Sequence, residues 1–588
     1  MKGHLLSRGG PRGAVSRPFY FALFALLSAC GQMAPKTTPA VPTVQIIQEQ
    51  LPVVGDNLLA LQLFRPGTGS HLLIALMEWE TPSGAQRKVE HQLQVPHGRL
   101  VRYSLPYRLE EAGMHRAALR LYDPERGTSI HEVEELRLFT RPAWELSSDR
   151  SYYTVEDEIR FRLRRNRRSE MAVRVAVELR RGVEVLDRVD VNIVGQDVSG
   201  AFAAYDLPVG HYWLTARWQD PVGGVDSLAV ACEKFAPAAR EVKIDLFSQS
   251  LLVDGEPFFP IGLYWLRAED LGPMRRLHFN SGDYYYKLRG EEVAALMDTA
   301  AAEGMQILLE LTEYARGKPE PNYRAIATLV KRYRQHPALL AWYLIDEPDE
   351  TKMAPAAALA IYELIRELDP YHPVYLVNNR PHTYAAYSDA SDILAIDVYP
   401  IPNYPITQVG DYMQRARWTS LERTPVWFIA QAFGGVEHWA RSPTAAELRN
   451  MVYQGLVEGA KGVLFYRYCQ ESERHIQPLA LWREVQRLAA ELAELGPVLL
   501  QEEHSSAAQP TDAEIKVAVK EYKRDFYVFA VNVAEDPRQL DLRLEGLPPM
   551  GRAEVFRGQA VPTLANGRLA AELGPLGTAV FRLQTAGI

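Results

Sequence analysis

Between about residues 43 and 140, apolar and polar side chains alternate in short runs such as Leu58–Phe64 and His71–Leu76, separated by Gly/Pro turns. A period of two is that of strands with one buried face, so this stretch predicts a β-sandwich. A second unit of the same kind covers about 146–236, with Val173–Leu179 its clearest strand. Its phrase Leu207–Leu214 reads as a turn followed by a strand, in the manner of immunoglobulin-like accessory modules. After about 241 the period changes. Short apolar runs (Phe258–Leu263, Gln306–Leu311, Leu340–Ile345, Val374–Val377, Ile393–Val398, Val426–Ala430, Gly462–Tyr466) alternate with helical stretches (Glu291–Glu303, Tyr323–Gln335, Pro355–Leu368, Ala445–Gly459, Leu479–Leu495). Strands alternating with helices over this length predict a parallel (β/α)8 TIM barrel, about 250 residues in its usual form. The competing open, doubly wound sheet wants a Gly-rich phosphate turn after its first strand, whereas Gly262 is followed by Leu263, Tyr264 and Trp265. The tail returns to alternation, as in Phe526–Asn532, and predicts a terminal sandwich. The resulting organisation is a sandwich at 43–145, an immunoglobulin-like sandwich at 146–240, the barrel at 241–503 and a last sandwich at 504–588.

Composition narrows the picture further. Hydrophobic residues at 47%, charged at 23% and aromatic at 10% fit a globular chain rather than a disordered or polytopic membrane one. The net charge of −8 speaks against nucleic acid and anionic membrane surfaces as partners. Only Cys30, Cys232 and Cys469 are present, so there is no disulfide framework and no CxxC pair for zinc. Cys232 and Cys469 fall in different units and are expected to be free, inert thiols. Upstream of Cys30 stand Lys2, Arg8, Arg12 and Arg17 without an acid, then an apolar run from Phe19 to Leu27 too short to span a bilayer. The tetrad Leu27-Ser28-Ala29-Cys30 resembles the lipobox of bacterial lipoproteins, which implies cleavage of residues 1–29 and acylation of Cys30. Residues 30–42, with Pro35, Pro39 and Pro42, then read as a tether, and Gly31 in place of a retention Asp implies the outer membrane. The competing reading is a simple signal peptide with an incidental cysteine.

In such barrels the reacting groups stand at the C-terminal ends of the strands. Taken in order these ends carry Tyr264 and Trp265; Asp283 to Tyr286; Glu310 and Glu313; Asp346 and Glu347; Asn378 and Asn379; Asp397 and Tyr399; Gln431; and Tyr466 with Tyr468. Carboxylates, amides and aromatics are what glycosidic cleavage needs: a carboxyl to protonate the leaving oxygen, negative charge for the oxocarbenium-like state, and flat faces for sugar rings. No HExxH, no Walker loop and no clustered His pair occurs. His336, His372, His382 and His438 read as loop or capping residues, and Glu471 and Glu473 as loop carboxylates.

The segment Leu340–Pro348, ending Ile345-Asp346-Glu347-Pro348, resembles the fourth strand of the clan A glycoside hydrolases, where Asn-Glu-Pro ends in the acid/base glutamate. Leu252–Gly262 is similar to the approach to their first strand, and Ile396-Asp397-Val398-Tyr399-Pro400 to their sixth-strand tyrosine signature. The resemblance covers about 241–500 and implies Glu347 as general acid/base, with Asp346 in the place of the asparagine that contacts the group at sugar carbon two. It implies a substrate-binding set of Tyr264, Trp265, Tyr285, Glu310, Trp342, Asn378, Tyr399, Gln431 and Tyr466, several of which can equally be core. The departure is at strand seven, where Gln431 stands for the nucleophilic glutamate, and an amide cannot form the glycosyl ester. Three readings remain: Asp397, Glu310 or Glu313 serves as nucleophile or base; a 2-acetamido substituent supplies the nucleophile, since Asp346-Glu347 resembles the Asp-Glu pair of substrate-assisted hexosaminidases; or the barrel binds glycan without cutting it.

The sequence therefore leads to an extracytoplasmic, lipid-anchored glycosidase-like protein of the cell envelope, with Glu347 as proton donor and a poly- or oligosaccharide as partner. The alternative is a non-catalytic glycan-binding or envelope-scaffold lipoprotein. No cofactor and no catalytic metal are implied, calcium in a sandwich loop stays open, and sugar identity, linkage and oligomeric state are unread.

Overall fold

A single strand pairing closes the central unit: Ile261 lies opposite Val463 and Leu263 opposite Phe465, so that the first strand joins the eighth. The computed structural model describes residues 43–47, 51–66, 68–219, 225–284, 288–315, 321–436, 438–468, 476–504, 510–544 and 546–586. Cys30 with its signal-like and tether segments, Tyr285, Tyr286, Cys469, Glu471 and Glu473 lie outside these residues.

The barrel strands are Ile261–Leu266, Ser281–Tyr284, Gln306–Glu310, Leu339–Asp346, Val374–Val377, Ile393–Ile396, Val426–Gln431 and Val463–Tyr466, all parallel and paired in chain order. The central fold is thus the expected (β/α)8 barrel, flanked by β-rich units. Two details differ from the sequence pattern. The first strand starts at Ile261, because Glu256–Phe258 instead pairs antiparallel with Ser250–Val253. That hairpin and Val242–Asp245 form a small sheet whose Val242, Ile244 and Leu251 pack into one end of the barrel interior. The second strand, Ser281–Tyr284, has no apolar run to announce it. Gly282 in it suits the crowding, since a Cβ there would stand 2.6 Å from the Leu266 side chain and 2.8 Å from the Leu263 carbonyl.

Strand side chains alternate between two cores. Leu308, Ala341, Tyr343, Tyr375, Trp427, Ile429 and Leu464 fill the barrel, whereas Trp342, Leu344, Ile396 and Phe428 face outward against the helices. The helices carry their own boundary signals. Thr444 and Glu447 make a capping box at the start of Ala445–Val457, and Gly304 ends Glu291–Glu303 at φ 68°, a conformation that favours glycine.

Ahead of the barrel, a three-stranded sheet (Thr43–Ile47, Gly55–Phe64, Leu100–Leu109) and a four-stranded one (Ser70–Glu80, Gln86–Pro96, Gly113–Asp123, Thr128–Thr140) share a core around Leu61, Leu73, Trp79 and Leu119. The next unit is one five-stranded sheet whose long strands Glu158–Arg181 and Glu184–Ala203 carry register shifts near Val185, Ile193 and Gly195. Its Cys232 is buried, with the thiol pushed up to about 12 by desolvation, so the expected inert thiol is found. A four-stranded and a three-stranded sheet follow the barrel, joined to it where Asn450 Nδ2 donates to the Asn532 carbonyl at 2.8 Å. Among the described residues no helix is long and apolar enough to cross a membrane.

Trp342, expected from the resemblance to bind substrate, is core. It faces the helical layer, fully buried, and its Nε1 donates to Asp369 Oδ2 at 2.8 Å. Asp369 is itself fully buried and also accepts from the Tyr371 amide at 3.1 Å and pairs with His372 Nδ1 at 2.9 Å. Trp342→Phe should therefore remove a donor from a buried carboxylate and cost about 1–3 kcal/mol in denaturant unfolding while leaving glycan affinity unchanged. A loss of affinity at unchanged stability would return Trp342 to the binding surface.

Candidate active site

The fourth strand gains one residue before it ends. Tyr343 pairs with Tyr375, but Ile345 pairs with Leu376, so the ladder bulges at Leu344. Leu344 and Ile345 then both face the outer core and Asp346 faces inward, where strict alternation would have placed Ile345. The Tyr343 hydroxyl donates to Asp346 Oδ1 at 2.7 Å, and the Asp346 amide donates to Thr312 Oγ1 at 3.0 Å. The next residue, Glu347, adopts φ 44°, a left-handed conformation that costs a residue of this type about 1–3 kcal/mol. It is held there by its amide on the Val377 carbonyl at 3.1 Å and by the Thr351 amide on its own carbonyl at 3.0 Å.

Glu347 meets two partners at the mouth. Asn379 Nδ2 donates to Glu347 Oε1 at 2.5 Å, and the Asp397 carboxyl, from the end of the sixth strand, stands beside the Glu347 carboxyl. Two neighbouring carboxyls, one of them buried, resist ionising together. Burial raises the Asp397 pKa well above the carboxylate range, and the charges of Glu347 and Asp346 raise it further. Asp283, at the end of the second strand, is also buried and raised, first by desolvation and then by Glu310. Among the described residues Asp283 Oδ1 and Asp397 Oδ1 have no hydrogen-bond partner, which fits carboxyls held neutral.

Around this acid cluster stands an aromatic rim. Tyr399 and Tyr466 stack with ring centres 5.7 Å apart, and Trp265 meets Tyr466 edge-on at 5.3 Å. Phe433 closes on Tyr399 at 5.1 Å, and the Arg467 guanidinium lies 4.7 Å from the Trp265 ring centre.

Glu347, Asp346, Asp397, Glu310, Trp265, Tyr399 and Tyr466 are thus brought to one end of the barrel. Other expectations need correction. Asn378 is buried and turned into its own loop, accepting from the Arg380 amide at 2.9 Å and donating to Thr383 at 3.0 Å; Asn379 reaches Glu347 instead. Gln431 is fully buried, with Oε1 accepting from the Ile401 amide at 3.0 Å and Nε2 donating to the Ile401 carbonyl at 2.7 Å, so its amide clamps main chain rather than substrate. Tyr264 lies below the mouth, its hydroxyl 2.9 Å from that of Tyr375. Glu313 turns away to Arg289 at 2.7 Å, and His336 and His372 pair with Asp298 and Asp369. Asp283, read as a strand end but outside the expected site set, belongs to the mouth, and Arg467 is an addition to it. The alternation of the second strand, with Asp283 inward and Tyr284 in the outer core, was the signal for the first.

The raised Asp397 carries a stability consequence. Its folded pKa lies above the unfolded value near 3.9, so its protonation favours the folded state fully below that value, and the benefit is lost as pH rises through the folded pKa. Asp397→Asn should raise Tm by about 2–4 °C at pH 8 and far less at pH 4; thermal melts showing a pH-independent difference would contradict this. Gln431→Glu should not restore a nucleophile but set a carboxylate against the Ile401 carbonyl, costing about 1–3 kcal/mol in urea titration.

No family model and no curated protein matches the chain. Solved structures similar to it include an α-amylase from Anoxybacillus (11% identity, 55% of this chain and 90% of that one, TM-score 0.40). A GH30 endoxylanase from Clostridium papyrosolvens is similar at 10% identity over 56% of this chain and 97% of that one, TM-score 0.39. A β-D-glucuronidase from Dictyoglomus thermophilum is similar at 13% over 75% and 90%, TM-score 0.33. With every TM-score here below one-half, the assignment of the fold rests on the closed strand pairing itself.

Proposed function

We propose that the protein is a glycosidase of the cell envelope that cleaves O-glycosidic bonds of a poly- or oligosaccharide, with Glu347 delivering the proton. The observation that carries this is the neighbouring Glu347 and Asp397 carboxyls at the C-terminal mouth of the barrel, Glu347 held by Asn379 and Asp397 buried with its pKa raised. Such a pair holds one proton between two acids. Glu347, the more exposed member, passes the shared proton to the leaving oxygen as the C–O bond breaks. Asp346, oriented by Tyr343, supplies negative charge for the oxocarbenium-like state. Water completes the hydrolysis and returns a proton to Glu347, so the acid is regenerated. Because Gln431 is committed to Ile401, the group that attacks the anomeric carbon is a mouth carboxylate, a water it activates, or a 2-acetamido oxygen of the substrate. The lipobox-like Leu27–Cys30 supports an acylated Cys30 and a place on the envelope.

The test incubates the full chain with polysaccharides and aryl glycosides that include 2-acetamido sugars, beside Glu347→Gln. The parent should release sugar, and the variant should lose about 10²–10⁴-fold in kcat with KM little changed. Selectivity for acetamido substrates selects substrate assistance. Glycan binding by both proteins with cleavage by neither would replace this reading with a binding lipoprotein.

A further inference from the structure

The second unit carries a groove of about 830 Å³ whose charge is opposite to that of the chain. Five arginines (Arg165, Arg167, Arg174, Arg188 and Arg217) line it against two acids, Asp190 and Asp226, on a protein of net charge −8. Asp190 serves two of them, accepting from Arg174 at 2.8 Å and from Arg188 at 3.1 Å. Arg167 donates to the main-chain carbonyls of Val53 and Val54. Neither Arg165 nor Arg217 has a carboxylate partner among the described residues.

Arg165 is the most telling. It is 8% exposed, yet among the described residues its acceptors are only the carbonyls of Ser169 at 3.4 Å and Met171 at 3.1 Å. Its guanidinium lies 4.8 Å from the Trp144 ring centre, and Trp144 in turn contacts Trp218 at 4.8 Å. Leaving a cation this buried without a counter-charge is unfavourable, and a bound anion relieves it. Apolar side chains line the same groove in the open: Met171 is 65% and Val225 73% exposed.

We propose that this groove binds a linear acidic polysaccharide, its carboxylates on the guanidinium forks and its sugar faces on Trp144 and the exposed apolar side chains. Two features favour this over nucleic acid. The groove has no run of exposed rings on which successive bases stack, and a concave sheet surface does not enter a duplex groove. The site lies outside the barrel mouth, so its occupancy does not depend on the hydrolase reading.

The experiment is affinity electrophoresis of the full chain through gels containing sodium polygalacturonate, dextran as the neutral control, or single-stranded DNA. It is run on a Glu347→Gln background so that hydrolysis cannot alter the matrix. Retardation is expected in polygalacturonate alone, falling steeply as salt rises. The double variant Arg174→Ala, Arg217→Ala, at exposed positions where the fold is retained, should weaken it at least tenfold, and Trp144→Ala should weaken it independently, with melting curves reporting the fold of each. Equal retardation of parent and variants, no retardation by polygalacturonate, or stronger retardation by DNA would overturn the proposal.

Discussion

Everything at the mouth of this barrel depends on a layer of four aromatic side chains within it. Tyr264, Tyr343, Tyr375 and Trp427 come from the first, fourth, fifth and seventh strands and pack together, Tyr343 and Tyr375 edge to face with ring centres 5.0 Å apart and Tyr375 and Trp427 tilted at 5.3 Å. Below them lie aliphatic side chains such as Leu308 and Leu464; above them lie acids. The layer reconciles the two because a tyrosine is apolar along its ring and polar at its tip. The Tyr264 and Tyr375 hydroxyls bond to each other, and that of Tyr343 bonds upward to Asp346. Burial keeps all three hydroxyls protonated, so they stay donors next to carboxylates.

This partition explains why the acids above it cannot all ionise. A carboxylate in water is stabilised by solvent on every side, whereas Asp283 and Asp397 are buried and have other carboxyls as neighbours. Desolvation and like-charge repulsion act in the same direction, and protonation is the cheapest relief. The strained φ of Glu347 fits the same logic. The bulge at Leu344 and the bonds to Val377 and Thr351 force its side chain toward Asp397 and Asn379, and ordinary backbone preference would not.

The barrel was legible because its cause is repetitive. Runs such as Val374–Val377 and Ile393–Ile396 alternate with amphipathic helices, and strand ends can be read off by position. What was lost turns on single residues. A one-residue bulge exchanges the faces of Ile345 and Asp346, and nothing in the local composition marks it. Asn378 and Asn379 are chemically identical neighbours, and only the loop they start decides which one meets Glu347. Gln431 reads as a strand-end polar group, and its commitment to Ile401 is a contact thirty residues away. Trp342 matched the resemblance in sequence, yet alternation about Tyr343, whose hydroxyl points to Asp346, already put it on the opposite face.

The distribution of charge ties the two proposed sites together. A polymer that carries acid groups and is drawn to the arginine groove would be repelled by a mouth in which Asp283, Glu310, Asp346, Glu347 and Asp397 were all ionised. Proton retention at Asp283 and Asp397 lowers that repulsion where it would be strongest. Arg467, over Trp265 and near Tyr466 and Phe433, adds a cation at the rim with no carboxylate partner among the described residues. Its guanidinium lies against ring faces with Nε unpartnered among the described residues, and a cation there favours an anionic substituent. A barrel that buried its acids fully charged and without Arg467 would suit only neutral glycans. This mouth, by holding protons and one arginine, is compatible with the acidic chain that the groove on the second unit selects.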